Sequence, residues 1–465
     1  MKINAFAVIF VATQVVLLVF LGQNVGLFFE GCKSSFKEES VSERQHATES
    51  SLVGLDSLSR KHNLPLVPQM SMSKTDDPGA RALDDFYKKY VPPNGWIDVN
   101  SLLPENAQDM RQLALAIYSG KEIACGYPRP HAKEEVSLSN DTTAKEFCFW
   151  RSDFVSDAAL DNFSWESLLW SFVVEAFRDL PKHQQSWINQ RNDSRFSDVS
   201  MLPQLAFLDV GVNIGDYISP IRMELPHVPI YGIEGSPPTA AIATANFLAA
   251  LEFIRQKDPK TQIAESRLYP FSMTTPIQLD SISQSGGVCF NAPAKFRRWN
   301  IGGREVQTGR TNCPAHDIAG ASTLAHALLS TQHENFSKDV ATPPSPSWPL
   351  IFIAKMDIEN FEFKAISTVA SWLQERPPCF MLIEYRYLPN SIALVELLLE
   401  IVGYDTVWLN SKKHDSNVSP REAFWSSARD GVGTFQKKMS NNRGHSDITL
   451  GFENLDFCFD RMFSP

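Results

Sequence analysis

The sequence predicts an α/β fold: a parallel sheet with helices on both faces, preceded by a helical amino-terminal cap region and a single transmembrane helix. Two observations carry this. From Leu205 onward, short apolar runs bounded by turn residues alternate with stretches of helical spacing, the pattern of βαβ units. Near the amino terminus, Ala5 to Gly22 carries no charge and only Thr13 and Gln14 as mildly polar members. A helix of about 20 such residues crosses a bilayer core of about 30 Å.

The chain has 465 residues, enough for one large domain or two ordinary ones with leader segments to spare. Its hydrophobic fraction of 43% and charged fraction of 21% are those of a globular protein. A net charge of -10 excludes nucleic acid as the main partner, because a polyanion requires a basic face. The short basic run Lys295-Phe-Arg-Arg298 reads as a solvated loop or helix end. Seven cysteines contain no CxxC pair, which disfavours a zinc ribbon or a thioredoxin-type site, and no metal ligands are expected. Isolated bridges remain open; Cys289 and Cys313 flank a loop-like stretch and are a candidate pair, while Cys32 beside the membrane segment is free, acylated or bridged to a second chain.

In order along the chain, residues 1–4 read as a cytosolic tail and 5–24 as a signal anchor, preferred to a cleaved signal peptide because no small-x-small site follows. Residues 25–79 read as a stem, since the Ser, Glu, Lys and His of this stretch cannot bury enough apolar surface to offset ordering entropy. A short amino-terminal tail stays cytosolic, which makes the protein single-pass type II and puts the remainder in the lumen of the endoplasmic reticulum or Golgi. Asn-x-Ser/Thr sequons at Asn140, Asn162, Asn192, Asn335 and Asn417 agree.

Residues 80–203 form the expected cap region. Phe86, Tyr87 and Tyr90 begin a helical spacing, Ala107 to Ser119 continues one, and Trp165 to Leu180 presents Leu168, Leu169, Phe172, Val173 and Phe177 on one face, read as core. Residues 204–465 form the sheet domain, with strands at Leu205–Val210, Ile230–Ile233, Leu350–Met356, Phe380–Tyr385 and Thr406–Leu409. Gly, Asn, Pro and Ser break the rhythm from about 285 to 349, which predicts a long insertion or substrate-facing loop.

The chemistry concentrates at three of those strand ends. Ala206-Phe-Leu-Asp-Val-Gly-Val-Asn-Ile-Gly-Asp-Tyr217 is a strand ending in a turn whose Gly211 and Gly215 let backbone bend and approach a ligand. Asp209 is placed to take a cofactor's ammonium group, with Asn213 inside the turn. Glu234 ends the next strand, where a carboxylate can accept hydrogen bonds from both hydroxyls of a ribose. A missing third glycine disfavours the pyrophosphate of a dinucleotide, whereas S-adenosylmethionine has no phosphate for Asp209 to repel. Finally, Ile351-Phe-Ile-Ala-Lys-Met-Asp-Ile-Glu-Asn-Phe-Glu362 runs a strand straight into a cluster of acids.

Asp209-x-Gly-x-Asn-x-Gly215, Glu234-Gly-Ser-Pro237 and Lys355-Met-Asp-Ile-Glu-Asn-Phe-Glu362 together resemble the FkbM-type methyltransferases, with Ser322-Thr-Leu-Ala-His-Ala-Leu-Leu329 and Met381-Leu-Ile-Glu384 in the family's order. The likeness covers roughly Leu205 to Leu409 and implies a Rossmann-like fold, S-adenosylmethionine as cofactor and O-methylation, often of sugars. Asn360 stands where the family usually has glycine, and Ala325 and His326 replace its paired acids. The cofactor residues expected are Asp209, Gly211, Asn213, Gly215 and Glu234; the catalytic residues expected are Asp357, Glu359 and Glu384, with His316 and His326 as histidine alternatives. Glu362 reads as a first-turn acid favoured by a helix dipole. The expected acceptor is a hydroxyl of a glycan or glycoconjugate. Two other readings share the anchor and sequons: a type II glycosyltransferase, disfavoured by the lack of Asp-x-Asp in the sheet region, and a non-catalytic luminal glycoprotein with a methyltransferase-like fold.

Overall fold

Nine strands among the described residues build one sheet: β1 (Ile97–Asp98), β2 (Ala206–Val210), β3 (Ile230–Ile233), β4 (Ser266–Tyr269), β5 (Ile351–Met356), β6 (Phe380–Tyr385), β7 (Thr406–Asn410), β8 (Glu422–Ser426) and β9 (Ser446–Gly451). This computed structural model describes residues 67 and 76–463, apart from 120, 127–145, 152, 154–166, 192–197, 276–277, 280–286, 292–293, 296–298, 301–305, 308–312, 332–348, 360, 386–388, 411–421, 431–433, 435–436 and 438–445. The anchor 5–24 and all five sequons lie outside the described residues, as does Asn360. Among the described residues no helix is long and apolar enough to cross a membrane.

The sheet order is β1-β4-β3-β2-β5-β6-β9-β7-β8. Strands β4, β3, β2, β5 and β6 run parallel, and β9 is antiparallel to both β6 and β7. The chain therefore builds outward from β2 through β3 to β4, then returns to the other side of β2 to lay down β5. Ligands in open α/β sheets bind at such a switch point, outside the carboxyl ends of the strands. The antiparallel β9 between β6 and β7 departs from the dinucleotide-binding order, in which a sixth strand follows the fifth directly. A sheet with this parallel centre and switch point is Rossmann-like.

The five strands expected from apolar runs are present within one residue of their expected ends. They are readable because β2, β3 and β5 are buried at every position, as parallel strands covered on both faces must be. Strands β1, β4, β8 and β9 escaped the sequence reading. Ser266-Arg-Leu-Tyr269 and Ser446-Asp-Ile-Thr-Leu-Gly451 intersperse polar residues and carry no continuous apolar run.

Helix α1 (Pro78–Tyr90) opens on the Asp77 cap, with Pro at its first position, where a missing N–H costs nothing. It is followed by α2 (Asn106–Ile117), α3 (Ser167–Arg191), α4 (Ile218–Glu224) and α5 (Pro237–Lys257). Alanines at 240, 241, 243, 245, 249 and 250 make α5 apolar on nearly all sides, and it is buried accordingly beneath α2 and α4.

Helix α3 was expected to end at Leu180 but continues through Pro181 to Arg191. Proline removes one helical hydrogen bond and crowds the preceding turn. The extension is held by docking: Trp187 Nε1 donates to Asp460 at 2.7 Å, Arg191 pairs with the same carboxylate, and Trp187 packs on Phe463. The face expected at Phe172 and Phe177 packs edge-on against Phe380 and Phe352 of the sheet. Residues from Ala82 to Phe463 thus share one continuous core, and the stretch 80–203 also supplies β1 and a hairpin, Ile123–Gly126 with Phe147–Trp150.

The segment expected as a loop between about 285 and 349 is partly structured. Val288–Phe290 pairs with Val306–Gln307 on one side and Ile318–Ala319 on the other, and helix α6 (Leu324–Ser330) follows on its Thr323 cap. Its small core of Leu279, Val288, Phe290, Ala319 and Ala321 is separate from the main one. Glycine and proline in the sequence concealed strands of only two or three residues. Three disulfides join Cys125 to Cys148, Cys289 to Cys313 and Cys379 to Cys458.

Candidate functional site

Strands β2 and β3 end side by side, and the turn after β2 folds back onto β3. The N–H groups of Gly211 and Val212 both donate to the Ile233 carbonyl, at 2.8 and 3.0 Å. Closing the turn requires left-handed backbone at Gly211, Asn213 and Gly215, with φ of 94°, 54° and 79°. Asparagine is among the few residues with a side chain that visit this region routinely.

Space demands glycine as strongly as conformation does at position 211. A Cβ there would lie 1.8 Å from the Asp357 carbonyl oxygen, so the turn after β2 and the end of β5 touch backbone to backbone. Gly215 has the other role, facing the α5 backbone at Ala243, where a Cβ would sit at 3.3 Å. The buried amide of Asn246 on α5 secures the turn further, donating to the Ile214 carbonyl at 2.7 Å while exchanging hydrogen bonds with the Cys148 backbone. Nothing in the sequence marked Asn246 beyond a lone amide inside an apolar helix.

Glu234 latches these turns together. One carboxylate oxygen accepts from the Asn213 N–H and the other from the Ser236 N–H, each at 2.8 Å. Both carboxylate oxygens are thereby oriented by backbone donors. Glu234 also lines an open cleft with about 540 Å³ of empty space, counted out to its mouth, beside Phe271, Met273, Phe290, Asp357 and Glu359.

Asp209 is placed differently. It is fully buried and is not among the residues lining the cleft. Lys355 Nζ lies 3.7 Å from Asp209 Oδ1 and 3.5 Å from Asp357 Oδ2, linking the ends of β2 and β5. At 3.7 Å the contact with Asp209 is an ion pair without a hydrogen bond. Burial pushes the Asp209 carboxyl up to about 7, with Lys355 pulling against that rise. Lys355 had no role assigned from sequence, although a lysine inside an apolar strand, two positions before an acid on the same face, was the available signal.

At the ends of β5 and β6, Asp357, Glu359 and Glu384 come together. Each offers a carboxylate oxygen, and the three oxygens lie within 4.8 Å of one another, a set that can hold a divalent ion. Glu384 meets the other two because Ile383 pairs with Met356, which sets the ends of the two strands level. Glu359 adopts φ of 53°, uncommon for a residue with a side chain, and this bends the chain after β5. In this loop the left-handed residue among those described is therefore Glu359, one position before Asn360.

Glu362 is the first residue of helix α7 (Glu362–Ser367), as a first-turn acid should be. Its carboxylate accepts from the Ile358 N–H at 3.0 Å, and burial pushes it up to about 7. It shapes the loop carrying Asp357 and Glu359. His316 stacks on Tyr118 at 4.6 Å, His326 donates its backbone N–H to the Thr323 cap, and neither lines the cleft.

No protein-family model matches the chain, and no curated protein matches it. Among solved structures, Haemonchus contortus phosphoethanolamine N-methyltransferase 1, in complex with phosphoethanolamine and S-adenosylhomocysteine, is similar over 68% of this chain at 10% identity and a TM-score of 0.23. The chain spans about half of that structure, 48% of its length. At this level of similarity the assignment of the fold rests on the strand order itself.

Proposed function

We propose that this chain is an S-adenosylmethionine-dependent O-methyltransferase of the FkbM type. It is anchored in the endoplasmic reticulum or Golgi membrane and acts in the lumen on a hydroxyl of a glycan or glycoconjugate. The observation that carries the reading is the cleft at the switch point, which has Glu234 on the β3 side and Asp357 with Glu359 on the β5 side. S-adenosylmethionine supplies a methyl group on a cationic sulfonium and brings no phosphate, so it suits a cleft edged by acids.

Glu234, oriented by its bonds to Asn213 and Ser236, accepts hydrogen bonds from the ribose hydroxyls. Asp357 takes the proton of the acceptor hydroxyl, and Glu359 and Glu384 accept hydrogen bonds from neighbouring hydroxyls to orient it. A sugar presents several adjacent O–H donors, which matches three convergent carboxylates that can only accept. Three disulfides favour folding in an oxidising lumen. The alternative of a type II glycosyltransferase draws on the same three carboxylates as ligands for a divalent ion.

Calorimetry of the full-length protein tests the reading. Wild type should bind S-adenosylmethionine, and Glu234→Ala should weaken binding roughly ten- to a hundred-fold, the worth of hydrogen bonds to a charged acceptor. Asp209→Ala should weaken it too, by releasing Lys355 and the turn. Failure of the wild type to bind would overturn the methyltransferase reading, and binding of a nucleoside diphosphate instead would favour the glycosyltransferase. Methyl transfer to a glycan panel then tests the acceptor, and activity only on lipid or protein would refute it.

A further inference from the structure

Tyr87 belongs to helix α1 of the cap and is buried, yet its hydroxyl reaches two segments that border the cleft. It donates to the Pro270 carbonyl at 3.1 Å and accepts the Gly320 N–H at 3.0 Å. Pro270 follows β4 directly, and the next three residues, Phe271, Ser272 and Met273, line the cleft. Gly320 joins Ile318–Ala319, in the insertion's three-stranded sheet, to Ala321–Ser322. That same sheet carries Phe290 and Val306 to the cleft.

The two segments are also joined to each other. Ser272–Met273 pairs in parallel with Ala321–Ser322, and the Ser272 N–H donates to the Gly320 carbonyl at 2.9 Å. The Tyr269 hydroxyl shares a hydrogen bond of 2.8 Å with Ser322 Oγ. The rings of Tyr87 and Tyr269 both pack on Phe271, with centroids 5.5 and 4.8 Å away. Ser272 in turn abuts the turn after β3: a Cβ on Gly235, the residue after Glu234, would lie 3.0 Å from Ser272 Cα. A shift of this wall is therefore felt beside Glu234. Packing on Phe271 would be served equally well by a phenylalanine at 87. The hydroxyl is what the Pro270 carbonyl and the Gly320 N–H require, since a buried backbone group left without a partner is costly. Burial pushes that hydroxyl above its ordinary value, so it keeps the proton it donates.

We infer that Tyr87 is a positioning residue of the cleft. Its hydroxyl fixes the wall Phe271–Met273 and the end of the insertion at the spacing that ligand binding requires, which makes the cap part of the site. The inference rests on the cofactor reading above only for the identity of the ligand.

Equilibrium binding of S-adenosylhomocysteine and amide hydrogen exchange, both on the full-length protein, test it with Tyr87→Phe, which removes one oxygen and keeps the ring. Tyr404→Phe is the matched control. The buried Tyr404 hydroxyl likewise donates to a proline carbonyl, that of Pro378 at 2.8 Å, but Pro378 precedes β6, at the end of the strand away from the cleft. Both substitutions should lower the melting temperature, by roughly 2–6 °C. Only Tyr87→Phe should weaken binding, by about five- to thirty-fold, and only it should speed exchange at Ser272 and Gly320. Wild-type affinity in Tyr87→Phe, or equal losses in the two variants, would overturn the positioning role and leave the cofactor reading intact; so would unchanged exchange at Ser272 and Gly320. No binding by the wild type would overturn the cofactor reading, and exchange alone would then decide the role of Tyr87.

Discussion

The two halves of the cleft are held by opposite means. On the side of β2 and β3, the acid lining the cleft is matched to donors: Glu234 accepts two backbone N–H groups, and the turn donates twice to Ile233. On the side of β5 and β6, three carboxylates sit within 4.8 Å of one another, and Glu359 holds a left-handed backbone. The first half is pre-organised by these bonds, with left-handed backbone at Asn213 as well as at its glycines. The second concentrates like charge, and its left-handed residue, Glu359, is itself one of the three carboxylates. The joint between them is the contact of Gly211 with the Asp357 carbonyl, reinforced by Lys355 between Asp209 and Asp357.

Breaking the joint should have the largest effect. Gly211→Ala places a Cβ where the Asp357 carbonyl stands and demands φ of 94° from alanine. We expect a loss of roughly 4 kcal/mol in urea denaturation, at the severe end for point substitutions; a loss under about 1 kcal/mol would refute the close approach.

Next comes the reactive half alone. Asp357→Asn should lower the rate of methyl transfer by about a hundred-fold or more while the affinity for S-adenosylhomocysteine stays within about three-fold. An equal loss in both would place Asp357 in cofactor binding and erase the contrast between the halves.

A smaller effect should follow from pH. The folded-state value for Asp209 is about 7, above its ordinary value of 3.8, so the folded protein holds a proton that the unfolded chain has released. Stability should therefore fall as pH rises from about 4 to 7. Glu362, also raised to about 7, acts in the same direction. Asp209→Asn should reduce the slope of the urea midpoint against pH without abolishing it, and an unchanged slope would show that Lys355 keeps Asp209 ionised throughout.

The smallest effect isolates strain. Glu359→Gly should stabilise the fold by about 1 kcal/mol, since glycine takes the left-handed conformation without steric cost. The same substitution should slow methyl transfer by removing one of the three carboxylates. A variant no more stable than wild type would mean that Glu359 gains as much from its surroundings as its backbone loses.

Much of the binding half was legible in the linear chain. Strands β2, β3, β5 and β6 were visible because buried parallel strands are continuous apolar runs, and Gly211, Gly215 and Glu234 because each local geometry admits few residue types. Residues whose roles come from distant partners were not visible. Lys355 acquires its meaning from Asp209 across a neighbouring strand, Asn246 from a turn and a hairpin that its helix merely passes, and Trp187 from Asp460, which carries α3 beyond Pro181. Tyr87 was visible only as part of a helical spacing, and its hydroxyl finds its partners at Pro270 and Gly320.

Local sequence determined the apolar strands β2, β3, β5, β6 and β7, where the turn after β2 bends and which carboxylates stand at those strand ends, because burial pattern and backbone sterics act over a few residues. Tertiary structure decided which of those carboxylates meet, that Asp209 lies buried behind Lys355 while Glu234 faces the cleft, and that a hydroxyl from the cap ties one wall of the cleft to the insertion. Those outcomes depend on register between strands and on packing across the switch point. They are set by contacts between residues far apart in the chain, and no local pattern encodes them.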